Sequence, residues 1–309
     1  MQATKQPFYK RFKQYLSERF PFTHILLIAA FSFSVISYSR ICRGANGFVE
    51  PKTYLIAVLN AILFFYLVRV FDEFKDKEDD AKYRKELPVP RGLITLRELN
   101  LTGFVAAGLQ LSFLLFFESS LLFFYVPVMA YLLLMSKEFF IADWLRKHQF
   151  WYVISHMLII PLVDFITSSF DWYLEEVPAP QGLIFFFIVS FFNGVLLEVG
   201  RKIKAPEDEK DGVISYTDLL GIPKAIFLWC ALLLANFITA VTAAWYAGFG
   251  QLMFVILILL LAIAILPAIL FFKIQTTKKA KWIELVSGIW SLLMYLLLGG
   301  LPMMLNLIK

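Results

Sequence analysis

The chain has 309 residues, of which 60% are apolar, 17% are aromatic and only 17% are charged, with a formal net charge of +5. A soluble domain carries about 25% charged residues, so this composition excludes an ordinary soluble globular protein. Cys42 and Cys230 lie far apart in apolar segments, which excludes a disulfide framework and a paired cysteine metal site. The composition therefore predicts an all-α protein that crosses a membrane repeatedly.

The first 21 residues mix basic and aromatic side chains, a pattern typical of a helix that lies on an anionic membrane surface. They do not show the apolar core and small-residue cleavage site of a signal peptide. We therefore expect two parts, an amphipathic basic segment at 1–21 and a single membrane domain at 22–309.

Nine apolar stretches follow, each near the ~20 residues that cross a hydrocarbon core of ~30 Å. Glu118, followed directly by Ser119, separates the third stretch from the fourth, which predicts a tight helical hairpin. The predicted spans are 22–41, 52–71, 99–117, 119–136, 149–168, 181–199, 223–246, 250–272 and 283–306.

The basic residues are distributed unequally over the segments between these spans. With the N-terminus inside, the inner segments contain 24 of the 29 Lys and Arg residues, and the outer segments contain four. This is the positive-inside pattern, so we expect the N-terminus and the long loops 72–98 and 200–222 on the cytoplasmic side. The same topology accounts for the positive net charge, and nucleic acid is not an expected partner.

The first long inner loop begins with Asp72, Asp76 and Asp80, which are spaced four residues apart. If the second span continues as a helix past the membrane surface, their carboxylates lie along one helical face. Like charges at this spacing repel, and hard oxygen ligands suit Mg²⁺, which prefers sites shared with substrate phosphates. A solvated charged loop is the alternative, because seven basic residues balance eight acidic ones across 72–98.

The second long inner loop begins at the end of the sixth span, where Glu198 is followed by Arg201, Lys202 and Lys204. An ionisable residue at the edge of a span is costly, which favours a functional role for Glu198. The alternative role is structural, since Arg201 and Lys202 lie at helical spacing from Glu198 and can pair with it. Four acidic residues follow within 207–211, a pattern that is also common in solvated loops.

The two segments together resemble the motifs of the UbiA superfamily of intramembrane prenyltransferases, whose members have nine transmembrane helices and Asp-rich motifs after the second and the sixth. The aspartates leading into Leu87–Gly92 are similar to the first motif and the Pro-Leu-Pro-Ser-Gly-like stretch that follows it. The stretch from Lys210 to Gly221 is similar to the end of the second motif, and 131–137 is similar to a Tyr-then-Lys feature after the fourth helix. The resemblance implies a nine-helix bundle whose inner face is capped by the two Asp-rich loops.

The chain departs from the family pattern at two positions. Phe71 stands where the family has an asparagine before the first aspartate, and Lys204 stands where the second motif has an acidic residue. Asp208 matches the last aspartate of that motif. Because Lys204 removes one metal ligand and adds a cation, the resemblance leaves open whether one or two metals bind and whether Glu198 contributes instead.

The resemblance implies transfer of a polyprenyl group from a prenyl diphosphate to a lipophilic, aromatic acceptor in the bilayer, after Mg²⁺-assisted ionisation of the diphosphate. Carboxylate-bound Mg²⁺ neutralises the leaving group, and Arg and Lys add charge-assisted hydrogen bonds. The predicted catalytic and metal-binding residues are Asp72, Asp76, Asp80 and Asp208, with Glu198 as a further metal ligand. The predicted diphosphate-binding residues are Arg69, Lys75, Arg84, Arg91, Lys137, Arg201, Lys202 and Lys204. The predicted prenyl or acceptor pocket contains Asn193, Phe65 and Tyr131.

Two alternative functions remain open at the level of the sequence. A related terpene cyclase or lyase would use the same motifs, because it also ionises a prenyl diphosphate but traps the cation without an acceptor. A secondary transporter is less favoured, because its ionisable residues would lie near mid-membrane. Spans 3, 4, 7 and 8 have no charged residue in their interiors, and Asp164 in the fifth span is the main exception.

Overall fold

The structure, a computed structural model, describes residues 6–308. The first five residues of the N-terminal segment, and Lys309, which is counted among the outer basic residues, lie outside this range. All regular structure within 6–308 is helical, which confirms the all-α prediction. The α-helices are α1 (Phe8–Arg19), α2 (Phe22–Cys42), α3 (Pro51–Lys75), α4 (Lys77–Tyr83), α5 (Leu96–Phe117), α6 (Leu122–Ser136), α7 (Ala142–Lys147), α8 (Gln149–Met157), α9 (Ile159–Trp172), α10 (Leu183–Arg201), α11 (Tyr216–Leu220), α12 (Ile222–Tyr246), α13 (Gly250–Ala264), α14 (Leu266–Lys273), α15 (Thr277–Tyr295) and α16 (Leu301–Ile308).

Nine helical stretches within the described range are long and apolar enough to cross a membrane, as the sequence predicts. The chain is therefore a multi-pass integral membrane protein. The predicted hairpin between the third and fourth spans is confirmed at Glu118, whose carboxylate accepts hydrogen bonds from the Ser120 N–H at 3.2 Å and the Ser120 hydroxyl at 2.7 Å. The nine stretches are Phe22–Cys42, Pro51–Lys75, Leu96–Phe117, Ser119–Ser136, Gln149–Trp172, Leu183–Arg201, Ile222–Tyr246, Gly250–Lys273 and Thr277–Leu307.

Three spans contain a local break in helical geometry that the hydropathy pattern does not predict. The helix α8 meets α9 at Leu158, α13 meets α14 at Ile265, and a π-helical turn, Leu296–Gly300, separates α15 from α16. A proline lacks the N–H that would bond four residues back, and its ring crowds that carbonyl, so a helix breaks or bends just before it. Each break is followed closely by a proline, namely Pro161, Pro267 or Pro302.

The chain divides into two compact units, of which unit 1 comprises Met1–Ala29 and Pro51–Lys147. Within unit 1, α3 packs against α5 and α6. A capping box begins α5, since the Thr95 hydroxyl accepts from the Glu98 N–H and the Glu98 carboxylate accepts from the Thr95 N–H. The N-terminal helix α1 packs in the same unit. Its Tyr15 side chain is fully buried, and its Arg11 guanidinium donates two hydrogen bonds to Glu98, at 3.0 and 2.5 Å.

Unit 2 comprises Ala30–Glu50 and His148–Lys309, and α10 is its central helix. Within it α10 packs against α9, α12 and α15. The Trp229 indole N–H donates to the Ser287 hydroxyl at 2.9 Å, and a side chain at Gly200 would collide with that hydroxyl. Close packing at Gly200 therefore holds the last turn of α10, which contains Glu198.

Two of the basic residues that the sequence places in outer segments are paired within unit 2. Arg40 and Arg43 both donate to Asp171, at 2.9 and 2.7 Å, and both lie close to Glu175. Asp171 is fully buried and also accepts a hydrogen bond from the Ser39 hydroxyl at 2.7 Å. These contacts join the end of α2 to the end of α9 and balance the two positive charges.

Candidate active site

The first acidic segment lies where α3 meets α4. The helix α3 continues to Lys75, beyond the predicted end of the second span at residue 71. Asp76 has φ −91° and ψ 7°, yet its N–H donates to the Asp72 carbonyl at 2.9 Å and its carbonyl accepts from the Asp80 N–H at 2.8 Å. The helical spacing of the three aspartates is therefore kept through the junction, which the predicted one-face arrangement requires.

The three aspartates differ in exposure and in their closest cations. The side chains of Asp72 and Asp76 are 31% and 36% exposed, whereas that of Asp80 is 4% exposed. Asp72 lies 3.4 Å from Arg69 and 3.9 Å from Lys75, and Asp76 lies 3.8 Å from Lys75. These separations exceed ordinary hydrogen-bond lengths, so Asp72 and Asp76 are held by loose ion pairs.

Asp76 lies between two like charges. Burial raises the pKa of its carboxyl group, Lys75 opposes that shift, and the charges of Asp72 and Asp80 raise the pKa further. A divalent cation among these oxygens would offset both the repulsion and the lost hydration. The sequence predicts repulsion among aspartates spaced four residues apart, and the raised pKa of Asp76 agrees with that prediction.

The segment after α4 contains two of the predicted diphosphate-binding residues, Arg84 and Arg91. The Arg84 guanidinium donates to Asp80 at 3.1 Å. The Arg91 guanidinium donates to both carboxylate oxygens of Glu18, at 2.9 and 2.6 Å, and the hydrogen bonds from Arg91 lower the pKa of Glu18. Arg84 and Arg91 therefore each hold a carboxylate, and a diphosphate would compete with these pairs.

Glu73 is a residue of this region that the sequence did not single out. The structure buries it, with 1% of the side chain exposed. Its carboxylate accepts from the Arg19 Nε at 2.6 Å and lies 3.7 Å from the Arg69 Nε. Since Arg19 precedes Glu73 by 54 positions, no local signal in the sequence could have identified this pair.

The second acidic segment starts with Glu198 in the last turn of α10. One carboxylate oxygen lies 2.5 Å from the Arg201 guanidinium, and the other lies 2.7 Å from the Lys202 ammonium. The ion pairs that the sequence analysis gave as the alternative to a functional role, from Glu198 to Arg201 and to Lys202, are therefore present in the structure. Both carboxylate oxygens of Glu198 are therefore already paired with cations of the chain.

The loop after α10 is held by a hydrogen-bond network around Glu209. Its carboxylate accepts from the hydroxyl groups of Ser215 and Thr217, both at 2.7 Å. The Thr217 hydroxyl also accepts from the backbone N–H of Lys204 at 2.9 Å. These contacts assign Glu209 a structural role and set the path of the loop that carries Lys204 and Asp208, both half-buried.

A second acidic residue of the cluster 207–211 is also used structurally. Glu207 accepts hydrogen bonds from the N–H and the hydroxyl of Thr277, at 3.0 and 2.6 Å, and thereby caps α15. Asp211 is exposed. The cluster therefore contains two glutamates that stabilise the fold of unit 2 and two aspartates, of which Asp208 is half-buried and Asp211 is exposed.

The remaining predicted residues lie on α3 and α10 or at α6. Lys137 is exposed at the end of α6, and the three residues after it, 138–140, all have positive φ. The half-buried ring of Tyr131 meets Phe139 edge-on, with 5.4 Å between ring centroids. Phe65 is half-buried in α3. Asn193 is fully buried in α10 and accepts a hydrogen bond from the Asn236 amide at 3.1 Å.

Within residues 6–308, no three His, Cys, Asp or Glu side chains are arranged as ligands of one metal ion. The donor set still fits Mg²⁺ at Asp72 and Asp76, which offer hard carboxylate oxygens at helical spacing with about one-third of each side chain exposed. Asp80 and Glu198 are held by cations of the chain itself. The metal-binding roles of these residues and of Asp208 stay predictions.

Comparisons with known proteins agree with this architecture. A solved structure from work on digeranylgeranylglyceryl phosphate synthase in membranes superposes on 95% of this chain and 99% of its own, with a TM-score of 0.61 and 16% identity. The apo structure of a UbiA homolog from Aeropyrum pernix K1 superposes on 91% of this chain and 96% of its own, with a TM-score of 0.61 and 14% identity. These two show a common fold, and no curated protein matches the sequence significantly. The model of the UbiA prenyltransferase family matches residues 30–292, which is most of the sequence, and the chain therefore belongs to that family.

Proposed function

We propose that this intramembrane prenyltransferase moves a polyprenyl group from a prenyl diphosphate to a lipophilic, aromatic acceptor. The observation that carries the proposal is the pair Asp72 and Asp76, two partly exposed carboxylates at helical spacing beyond a membrane-spanning helix, beside Arg69 and Lys75. Carboxylates repel a diphosphate, so a site built from them needs a bridging cation.

On the first segment, Asp72, Asp76 and Asp80 would hold Mg²⁺. On the second segment, Asp208 would be a metal ligand. When bound, the metal supplies charge neutralisation to the departing diphosphate. Asp72 and Asp76 are the primary ligands in this proposal because their ion pairs are loose. Arg84 pairs with one carboxylate oxygen of Asp80, whereas Arg201 and Lys202 pair with both oxygens of Glu198, so Asp80 and Glu198 are secondary ligands in this proposal.

The cations beside these carboxylates would bind the diphosphate oxygens. Arg69 contacts Asp72 at 3.4 Å, and Lys75 lies at 3.8–3.9 Å from two aspartates, so both can exchange these loose pairs for shorter charge-assisted hydrogen bonds. The other residues proposed for this role are Arg84, Arg91, Lys137, Arg201, Lys202 and Lys204.

The allylic part of the donor requires dry, aromatic surroundings. Phe65 and Tyr131 supply ring faces in unit 1, each worth roughly 0.5–2 kcal/mol to a nearby cation. Asn193 supplies a buried amide in unit 2. The structural neighbour from work on digeranylgeranylglyceryl phosphate synthase supports a polyprenyl donor. The similarity of fold does not identify the acceptor. The excess of basic residues in the same loops supports a cytoplasmic location for the diphosphate site.

The test is Mg²⁺-dependent diphosphate release by the purified protein in lipid nanodiscs supplied with geranylgeranyl diphosphate. Loss of about 3 kcal/mol of metal-mediated stabilisation predicts at least a ~100-fold slower release for Asp72→Asn and for Asp76→Asn. Asp79→Asn is the matched control, because Asp79 is an exposed neighbour on another helical face, and its release rate should equal that of the wild type.

Unchanged release in both Asp72→Asn and Asp76→Asn would exclude the assignment of this site. Mass spectrometry of the lipid products distinguishes the two reaction outcomes. A prenylated product that forms only when a cell lipid extract is added supports transfer to an acceptor. A cyclic hydrocarbon released from the donor alone would replace the proposal with the cyclase or lyase alternative.

A further inference from the structure

The buried carboxylate of Glu73 lies between two arginine side chains of unit 1 that compete for the same oxygen atom. The Arg19 Nε, on α1, donates to the Glu73 Oε1 at 2.6 Å, whereas the Arg69 Nε lies 3.7 Å from that oxygen. The first distance is that of a short charge-assisted hydrogen bond, and the second exceeds hydrogen-bond length. Arg19 therefore occupies the acceptor that would otherwise be open to Arg69.

Helical spacing alone would pair Arg69 with Glu73. The two residues lie four apart on α3, where side chains are neighbours whatever the fold. Arg19, by contrast, precedes Glu73 by 54 positions, and only the packing of α1 brings it to this carboxylate. The structure has therefore replaced a local ion pair with a tertiary one.

Aromatic side chains hold α1 against α3 in this position. The rings of Phe12 and Phe20 meet the Tyr66 ring of α3 edge-on, with centroids 6.3 and 5.9 Å apart. The Tyr15 side chain of α1 is fully buried. Because Arg19 lies one helical turn after Tyr15, on the same face of α1, these contacts direct the Arg19 side chain at α3.

Arg69 is left with two loose contacts. Its Nε is buried and, within the described part of the chain, has no hydrogen-bond partner. One of its terminal nitrogens lies 3.4 Å from an Asp72 oxygen, and its side chain is 20% exposed. An unmet donor on a buried charged group is costly, so its presence calls for a specific explanation. A ligand that supplies the missing acceptor is such an explanation.

The cluster around Glu73 has more donors than this one carboxylate can satisfy. Within residues 6–308 the buried Tyr15 hydroxyl also has no hydrogen-bond partner. Burial raises the pKa of that hydroxyl, the charge of Glu73 raises it further and Arg69 opposes the shift, so Tyr15 keeps its proton. The guanidinium groups of Arg19 and Arg69 exceed the charge of Glu73 by one. This surplus favours an anionic ligand for the Arg69 guanidinium.

We propose that Arg19 is a positioning residue for diphosphate binding, because it occupies Glu73 and so keeps Arg69 available to the diphosphate. This inference rests on the proposed function, in which Arg69 binds a diphosphate oxygen. Without Arg19, the Glu73 carboxylate draws Arg69 into the local pair and away from the substrate. The contact of α1 with α3 and the affinity for the diphosphate are coupled in consequence.

The experiment measures the Kd of inorganic pyrophosphate in the presence of Mg²⁺, by calorimetric titration of the full chain in lipid nanodiscs. The test variants are Arg19→Gln and the double variant Arg19→Gln with Glu73→Gln, which also removes the competing carboxylate. Circular dichroism checks that each variant is folded. Arg11→Gln is the matched control, because Arg11 also ties α1 to unit 1 but donates to Glu98 instead of Glu73.

We expect Arg19→Gln to weaken pyrophosphate binding about tenfold, which corresponds to the loss of one charge-assisted hydrogen bond. The double variant and Arg11→Gln should both bind within about twofold of the wild type, since neither leaves Glu73 charged and without Arg19. If α1 only stabilised the fold, Arg11→Gln and Arg19→Gln would weaken binding alike. The control variant therefore distinguishes positioning of Arg69 from simple attachment of α1.

Three results would each overturn the proposal: wild-type binding by folded Arg19→Gln, no recovery in the double variant, or an equal loss in Arg11→Gln. If Arg19→Gln does not fold, Glu73→Gln alone decides. It should bind pyrophosphate more tightly than the wild type, because it removes the group that competes with the diphosphate for Arg69. Binding that is no tighter would then overturn the proposal.

The wild-type titration separates this proposal from the proposed function. Pyrophosphate that binds the wild type but not Asp72→Asn supports the diphosphate site itself. If the wild type binds no pyrophosphate, the proposed site and the role of Arg19 both fail. If the wild type and Arg19→Gln bind it equally well, the proposed site stands and only the role of Arg19 fails.

Discussion

The ion pair between Arg19 and Glu73 offers the sharpest test of how the N-terminal helix supports the first acidic segment. Arg19 is the last residue of α1, and its Nε donates to the Glu73 carboxylate at 2.6 Å. Glu73 directly follows Asp72, so α1 holds the chain next to a proposed metal ligand. The change to make is Arg19→Gln, which removes the charge and keeps a side chain of similar polarity.

The magnitude follows from burial. The Glu73 side chain is 1% exposed and that of Arg19 is 17% exposed. Removing one partner of a buried pair costs about 3–5 kcal/mol, because the other charge is left without compensation. Arg69 still lies 3.7 Å from Glu73 and retains part of the interaction. We therefore expect Arg19→Gln to lower the free energy of unfolding by about 3 kcal/mol, at the low end of that range.

The pair Arg91 and Glu18 is the matched control, because its shortest contact is also 2.6 Å but its side chains are 32% and 34% exposed. Solvent screening limits such a pair to about 1 kcal/mol or less, so Arg91→Gln should change stability little. The assay is reversible unfolding in mixed micelles of dodecyl maltoside and sodium dodecyl sulfate, followed by circular dichroism.

A double variant completes the test of this pair. Arg19→Gln combined with Glu73→Gln removes both charges and should recover most of the stability that the single change loses. A single-variant loss below about 1 kcal/mol, or a double variant that is as unstable as the sum of the two single variants, would refute the reasoning.

Two further predictions concern stability. Arg91 lowers the pKa of Glu18, so their pair contributes stability above the pKa that Glu18 has in the unfolded chain and loses it as the pH falls through the lower folded pKa. The small difference in unfolding free energy between wild type and Arg91→Gln should therefore shrink from pH 7 to pH 3, and a constant difference would contradict this. Gly299→Ala should cost about 1–3 kcal/mol, because a Cβ atom at Gly299 would collide with the Ser34 backbone. Gly288→Ala, where a Cβ atom meets no neighbour, should cause no loss, and equal Tm values for the two variants would contradict the packing argument.

The candidate site shows which contacts local spacing can predict. The pairing of Glu198 with Arg201 and Lys202 was foreseeable, because residues three and four apart on a helix are neighbours whatever the fold. The burial of Glu73 could not be predicted from the sequence, and neither could the hydrogen bonds that Glu209 accepts from two hydroxyl groups. Both depend on residues that packing brings close together. Without knowledge of those neighbours, a charged residue in a loop is expected to be solvated.

The sequence by itself determined the nine spans, the hairpin at Glu118 and the family, because hydrocarbon thickness and helical spacing act on local stretches of chain. The tertiary structure alone decided that Asp72 and Asp76 stay partly exposed while Asp80 is bound to Arg84. It also decided that Asp164, the main exception among the apolar spans, is fully buried. The reason is that burial and partner choice depend on helices that are distant in sequence, and a single residue's environment is a property of the packed chain.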